Sequence, residues 1–170
     1  RLNRMKISLF ESLYLNAPSD LKVMLRKQYR MHSQIMNTIN QFYAEEGGLI
    51  CGLDDACHEH GIEGGFIKKD VHAMWVYTPY ESRFKEKRDD TSFYNDYEVL
   101  CIEKILEQLN ENARRKGIKK EVGVITFYSG QTERLYGRIS DRQFDNLDIR
   151  IGTVDKFQGV EKPVIICSFV

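Results

Sequence analysis

Three short segments of this chain carry residue types that handle phosphate groups. In the first, Gln28-Tyr29-Arg30-Met31-His32, a guanidinium stands beside an aromatic ring and just ahead of an amphipathic run. A guanidinium stays charged and offers forked donors that match phosphate oxygens. The second, from Val122 to Gln131, reads as an apolar strand, a tight turn with Thr126, Tyr128 and Ser129, and a helix start. A hydroxyl and helix N-terminal N–H groups at the carboxyl end of a parallel strand suit phosphate contacts. In the third, a strand ends at Thr153, and Asp155, Gln158, Gly159, Glu161 and Lys162 follow in a compact loop. Gly159 there permits a left-handed backbone. Taken singly, each segment also has a bland reading: a solvated arginine, an ordinary strand-to-helix turn, a charged surface turn.

The surrounding pattern predicts the elements that must hold these segments. Leucine and aromatic spacing over 9–15 predicts a short helix. With Ser33 as N-cap, Ile35, Met36, Ile39, Phe42 and Tyr43 fall on one helical face, which Gly47-Gly48 ends. Residues 51–65 read as loop, and His72 to Tyr77 as a strand ended by Pro79, with Trp75 in the core. Glu81 to Asp90 reads as a charged loop. Asn95 with Glu98 resembles a capping box ahead of a stripe of Ile102, Ile105, Leu106 and Leu109, closed by Gly117. Strands are predicted at 122–126, 148–154 and 163–170, with a helix carrying Leu135 and Ile139 after the first. Strands alternating with helices imply an α/β domain with a mainly parallel sheet and helices on both faces.

At 170 residues the chain is long enough for one domain with a real core. Lys plus Arg and Asp plus Glu number 25 each, so no global field favours nucleic acid, although a local groove remains open. No apolar run reaches the roughly 18 residues of a membrane span. The four cysteines form no disulfide framework. Cys101 and Cys167 read as buried thiols in a reducing, intracellular compartment, cytoplasmic or nuclear. Cys51, Cys57, His58 and His60 cluster in sequence, but their spacing matches no standard zinc motif, and no metal site is expected. Arg83, Lys85, Lys87 and Arg88 surround Phe84, yet Glu81, Glu86, Asp89 and Asp90 neutralise them, so a solvated loop is expected.

In order and residue type, the three segments resemble motifs of the second, C-terminal RecA-like domain of superfamily-one helicases. The similar branch contains the nonsense-mediated-decay RNA helicase and its DNA- and RNA-unwinding relatives. That resemblance implies a RecA-like, P-loop-NTPase-type three-layer α/β/α domain over 1–170. It implies that Arg30 is an arginine finger reaching the γ-phosphate and that Tyr29 lies against adenine. Gln28, Gly159 and Glu161 join them at ATP, with Gln158 beside Arg30 in the catalytic set. Thr126, Tyr128, Gln131 and Thr153 contact a single strand of DNA or RNA. Ser33 stands where the family usually has Pro, and Phe127 stands where it has Pro in its Thr-Pro-Tyr motif.

The chain has no Gly-x-x-x-x-Gly-Lys-Ser/Thr loop of its own, that is, no Walker A loop. On this resemblance it is a piece of a longer ATP-dependent helicase that lacks the family's final arginine motif. ATP and Mg²⁺ would need a first RecA-like domain as partner, and the piece alone is expected to be an inactive monomer without membrane attachment. Two other classes fit fewer of the residues: a nucleic-acid-binding module with a dead ATP site, and a helicase-like protein-interaction domain.

Overall fold

A computed structural model describes residues 8–89 and 91–170. The contacts divide the chain into two compact units, Arg1–His58 and Glu59–Val170.

In the first unit, α1 spans Leu9–Asn16, and the Ser8 hydroxyl caps it by accepting from the Glu11 N–H. A two-residue strand β1, Lys27–Gln28, pairs in parallel with β2, Ile50–Cys51. Between them α2 runs over Ser33–Ile39 and tightens into a one-turn helix, Asn40–Tyr43. The N-cap of α2 is His32 rather than the expected Ser33: its Nδ1 accepts from the Gln34 N–H at 3.1 Å. Only Met36 of the predicted apolar face is buried, while Phe42 is exposed. Gly47 and Gly48 adopt φ of +86° and +74°, which turns the chain after the helix.

The second unit is built on a three-stranded parallel sheet. Its strands are β5 (Lys120–Thr126), β6 (Leu147–Thr153) and β7 (Val164–Ser168), in the order β6-β5-β7. Register aligns Val122 with Ile149 and Val164, Val124 with Ile151 and Ile166, and Thr126 with Thr153 and Ser168. Because side chains alternate along a strand, these rows share one face. Against it pack α3, Asp96–Lys116, and α4, Ser129–Ile139. Leu106 and Leu109 from α3, Leu135 and Ile139 from α4, and Val122 and Val124 join one buried cluster. Asn95 caps α3 by accepting from the Tyr97 and Glu98 N–H groups, and Gly117 ends it at φ +63°. On the opposite face, Phe157 comes within 2.7 Å of where a Cβ at Gly123 would lie.

Several expectations change here. Residues 72–77 form no strand, and Trp75 is 74% exposed, its ring 5.3 Å from that of Phe169. Cys167 is exposed because it alternates out of the core row that holds Ile166 and Ser168. The end of the charged loop forms β3 (Lys87–Asp89), which pairs antiparallel with β4 (Ser92–Tyr94) just beyond it. Among the described residues, no helix is long and apolar enough to cross a membrane.

Candidate functional site

Arg30 is presented by a turn that Gln28 builds with its own side chain. The Gln28 Oε1 accepts from the Arg30 and Met31 N–H groups, each at 2.9 Å. Its Nε2 donates to the Met31 carbonyl at 2.9 Å and to the Cys51 sulfur at 3.2 Å. The amide expected at ATP is therefore engaged in shaping the loop. Arg30 itself is exposed, and Tyr29 is 56% exposed with Lys27 over its ring. A Cβ at Gly52 would lie 2.4 Å from the Tyr29 ring, so glycine lets that ring rest on the β2 backbone.

The far side of the turn is tied down by charge-assisted bonds. Asp55 accepts from the Ser33 N–H at 2.9 Å and the Ser33 hydroxyl at 2.5 Å, with the buried His32 ring 3.7 Å away. Arg26 donates to the carbonyls of Gly47 and Gly48. Cys51 has Gln28 and Met36 as partners. His60 is held through Nδ1 by the Ile62 N–H and sits 3.2 Å from the Lys68 carbonyl.

In the second unit, three hydroxyl residues line up across the carboxyl ends of the strands, Thr153, Thr126 and Ser168. Thr126 is fully buried, and so is Gln131. Neither side chain reaches solvent, which differs from the strand contact expected of both. Gln131 instead organises a buried polar network. Its Oε1 accepts from the Asn95 N–H at 2.8 Å, and its Nε2 donates to the Ser168 hydroxyl at 2.9 Å. That hydroxyl donates to Glu98 at 2.6 Å, and Glu98 also accepts from the Phe169 N–H at 3.1 Å. Glu98 thus ties α3 to the end of β7 instead of completing a capping box. The starts of α3 and α4 and the end of β7 are locked together by satisfied polar groups, which makes the edge rigid.

Tyr128 is 36% exposed at the turn after β5, and Thr153 is half-buried. A one-turn helix, Val154–Phe157, follows Thr153 directly. Buried Phe157 anchors it, and Arg150 braces it by donating to the Lys156 carbonyl at 2.8 Å. Gln158, Gly159 and Glu161 then stand exposed, with Gly159 at φ +76°. Lys162 closes the loop on Glu121 at 2.5 Å. The sheet thus gathers Thr126, Tyr128, Gln131 and Thr153 at its carboxyl edge, while the Gln158–Glu161 loop runs on across the sheet toward Lys162 and Glu121 near the amino end of β5; the 1–58 unit gathers Gln28, Tyr29 and Arg30 in one turn.

Sequence reasoning missed the Asn95–Gln131–Ser168–Glu98 network and the hairpin beside it. The network left one faint signal: polar residues at positions where helix and strand periodicity demand burial.

A family model described as an AAA domain, AAA_12, matches residues 5–170. The chain is 31% identical to the DNA replication ATP-dependent helicase/nuclease JHS1 of Arabidopsis thaliana, over 100% of this chain and 13% of that protein. It is 26% identical to the DNA replication ATP-dependent helicase/nuclease dna2 of Schizosaccharomyces pombe, over 98% of this chain and 12% of that protein. It is 30% identical to Regulator of nonsense transcripts 1 of Caenorhabditis elegans, over 96% of this chain and 15% of that protein. It therefore spans only 12% to 15% of the length of these three relatives. With the parallel sheet and the loops at its carboxyl edge, the match over nearly the whole chain fixes the family: this is an AAA_12 domain, RecA-like and of the superfamily-one helicase C-terminal type, homologous to ATP-dependent helicases.

Proposed function

We propose that residues 1–170 act as the second motor domain of an ATP-dependent nucleic-acid helicase inside the cell, and that Arg30 is its arginine finger. The observation that carries this reading is the turn at 28–31, in which a side-chain amide is consumed to shape a loop that carries an exposed arginine beside an exposed tyrosine. Those two groups suit a nucleotide: Tyr29 offers a face for a base, and Arg30 offers forked donors for phosphate. ATP, when bound with Mg²⁺ by a first RecA-like domain, supplies the phosphoryl group whose transfer to water drives the cycle. Arg30 stabilises charge that develops on the transferred group, which is electrostatic preorganisation. Gln158, Gly159 and Glu161, on a loop that continues from Thr153, are assigned to ATP contact. Thr153 and Tyr128 hold the backbone of a single strand, while Thr126 and Gln131 act as positioning residues beneath them. One loop that meets both ligands gives a route for coupling hydrolysis to a shift of grip.

Comparing the full-length protein with residues 1–170 alone tests this assignment. The full-length protein is expected to hydrolyse ATP faster when single strand is added. The isolated domain is expected to be monomeric and to show no turnover. Magnesium-dependent hydrolysis co-eluting with the isolated domain would contradict the division of labour. A full-length protein that binds strand but never hydrolyses ATP would favour the binding-module reading.

A further inference from the structure

The β3–β4 hairpin has no part in the function proposed above, yet it sits beside the turn that carries Tyr128. Arg88 and Phe93 are directly opposed across the hairpin, so both side chains stand on one face. The Arg88 guanidinium lies 5.6 Å from the centroid of the Phe93 ring, and that ring lies 5.1 Å from Tyr128. The neighbouring cations are used differently: Arg83 pairs with Glu81 at 2.9 Å, and Lys87 with Asp96 at 2.8 Å. The hairpin is anchored where it meets α4, since the Ser92 hydroxyl accepts from the Gly130 N–H at 2.9 Å. A Cβ at Gly130 would lie 3.1 Å from the Phe93 carbonyl, so the two backbones approach closely.

We propose that Arg88, Phe93 and Tyr128 form a stacking site for a base of single-stranded nucleic acid. This rests on the strand-binding reading of the same sheet edge and adds base contact to backbone contact. Three flat groups in sequence, two of them rings and one a guanidinium, offer π faces to any base, because every base has one. Arg88 is exposed, Tyr128 is 36% exposed and Phe93 is only half-buried, so the cluster keeps surface open to a base although Phe93 packs against the other two. The anchoring at Gly130 preorganises the site, which lowers the cost of ordering it on binding. Carboxylates flank the basic residues, so stacking rather than counterion release supplies the affinity. Stacking is also indifferent to sequence and sugar.

The test uses the full-length protein with oligothymidine and oligouridine of equal length. Whichever binds tighter is compared with a counterpart strand bearing abasic sites. Phe93→Leu keeps the side chain apolar but removes the ring. It is expected to weaken binding of the base-bearing strand roughly tenfold, the scale of one lost base–aromatic stack. Affinity for the abasic strand should stay within about twofold, and the tenfold ratio should persist when salt is raised, because no phosphate contact is lost. Phe93→Tyr should retain wild-type affinity. Equal losses on both strands would mean that Phe93 is merely structural, and no loss on either would also overturn the proposal. If the wild-type protein bound neither strand, the strand-binding reading and this one would fall together.

Discussion

Met36 is the one apolar side chain buried among the described residues of the 1–58 unit, whereas the 59–170 unit buries Ile62, Leu106, Val122, Val124 and Leu135 to 1% exposure or less. The two units hold their candidate residues by correspondingly different means. Arg30 is placed by side-chain-to-backbone bonds from Gln28, Arg26 and Asp55. Thr153 and Tyr128 are placed by strands and a helix fixed on an apolar core. Hydrogen bonds net only about 0.5–1.5 kcal/mol each, while burial of a large side chain contributes about 1.5–3 kcal/mol. The arginine turn is therefore the softer of the two, which fits the proposal that Arg30 engages and releases a nucleotide.

Stability is therefore expected to respond unequally to similar truncations in the two units. Leu106→Ala, in the fully buried stripe of α3, should cost about 2–5 kcal/mol by denaturant unfolding. Leu13→Ala, in the exposed α1, should change stability by less than about 0.5 kcal/mol. Comparable losses at both sites would erase the distinction. Gln131→Ala should cost about 1–3 kcal/mol, because it leaves the Asn95 N–H and the Ser168 hydroxyl short of a buried partner. Amide exchange should show the loss at the start of α4 and the end of β7 while the 28–31 turn stays unchanged.

The smallest expected effect concerns pH. Burial, and secondarily the neighbouring His72, hold the His60 pKa below its ordinary 6.5. The folded state then binds fewer protons than the unfolded chain, so stability is fully present above about 6.5 and declines as pH falls below that value. Protonation also sets the Nδ1 against the Ile62 N–H it accepts from. His60→Asn should flatten the decline measured by thermal unfolding between neutral and mildly acidic pH. An unchanged slope would show that His60 does not contribute to it.

Much of the second unit was legible because its signals are periodic. The stripe of Ile102, Leu106 and Leu109, the caps at Asn95 and Gly117, and the three strands follow from spacing alone. The hairpin was not legible, since two three-residue strands, one wholly charged, with no Asn-Gly or Asp-Gly turn between them are too short to show alternation. Trp75 misled because β-propensity reports a fit to a half-buried surface, and that segment forms no ladder. At the site, residue types identified the loops but not the fate of each side chain. Gln28 and Gln131 carry the same amide as any ligand-binding glutamine, and only tertiary geometry shows both engaged with the protein itself.

On the proposed function, the Gln28–Met31 turn exists to present Arg30 to a phosphoryl group. Single-turnover hydrolysis and ATP affinity of Arg30→Ala in the full-length protein, on saturating single strand, test it most directly. The rate should fall by on the order of 10³ to 10⁵, as for other trans-acting arginines, while ATP affinity changes far less. Arg30→Lys should recover little, because a point charge lacks the planar fork. Hydrolysis by Arg30→Ala at near the wild-type rate would contradict the account and leave the turn a purely structural feature.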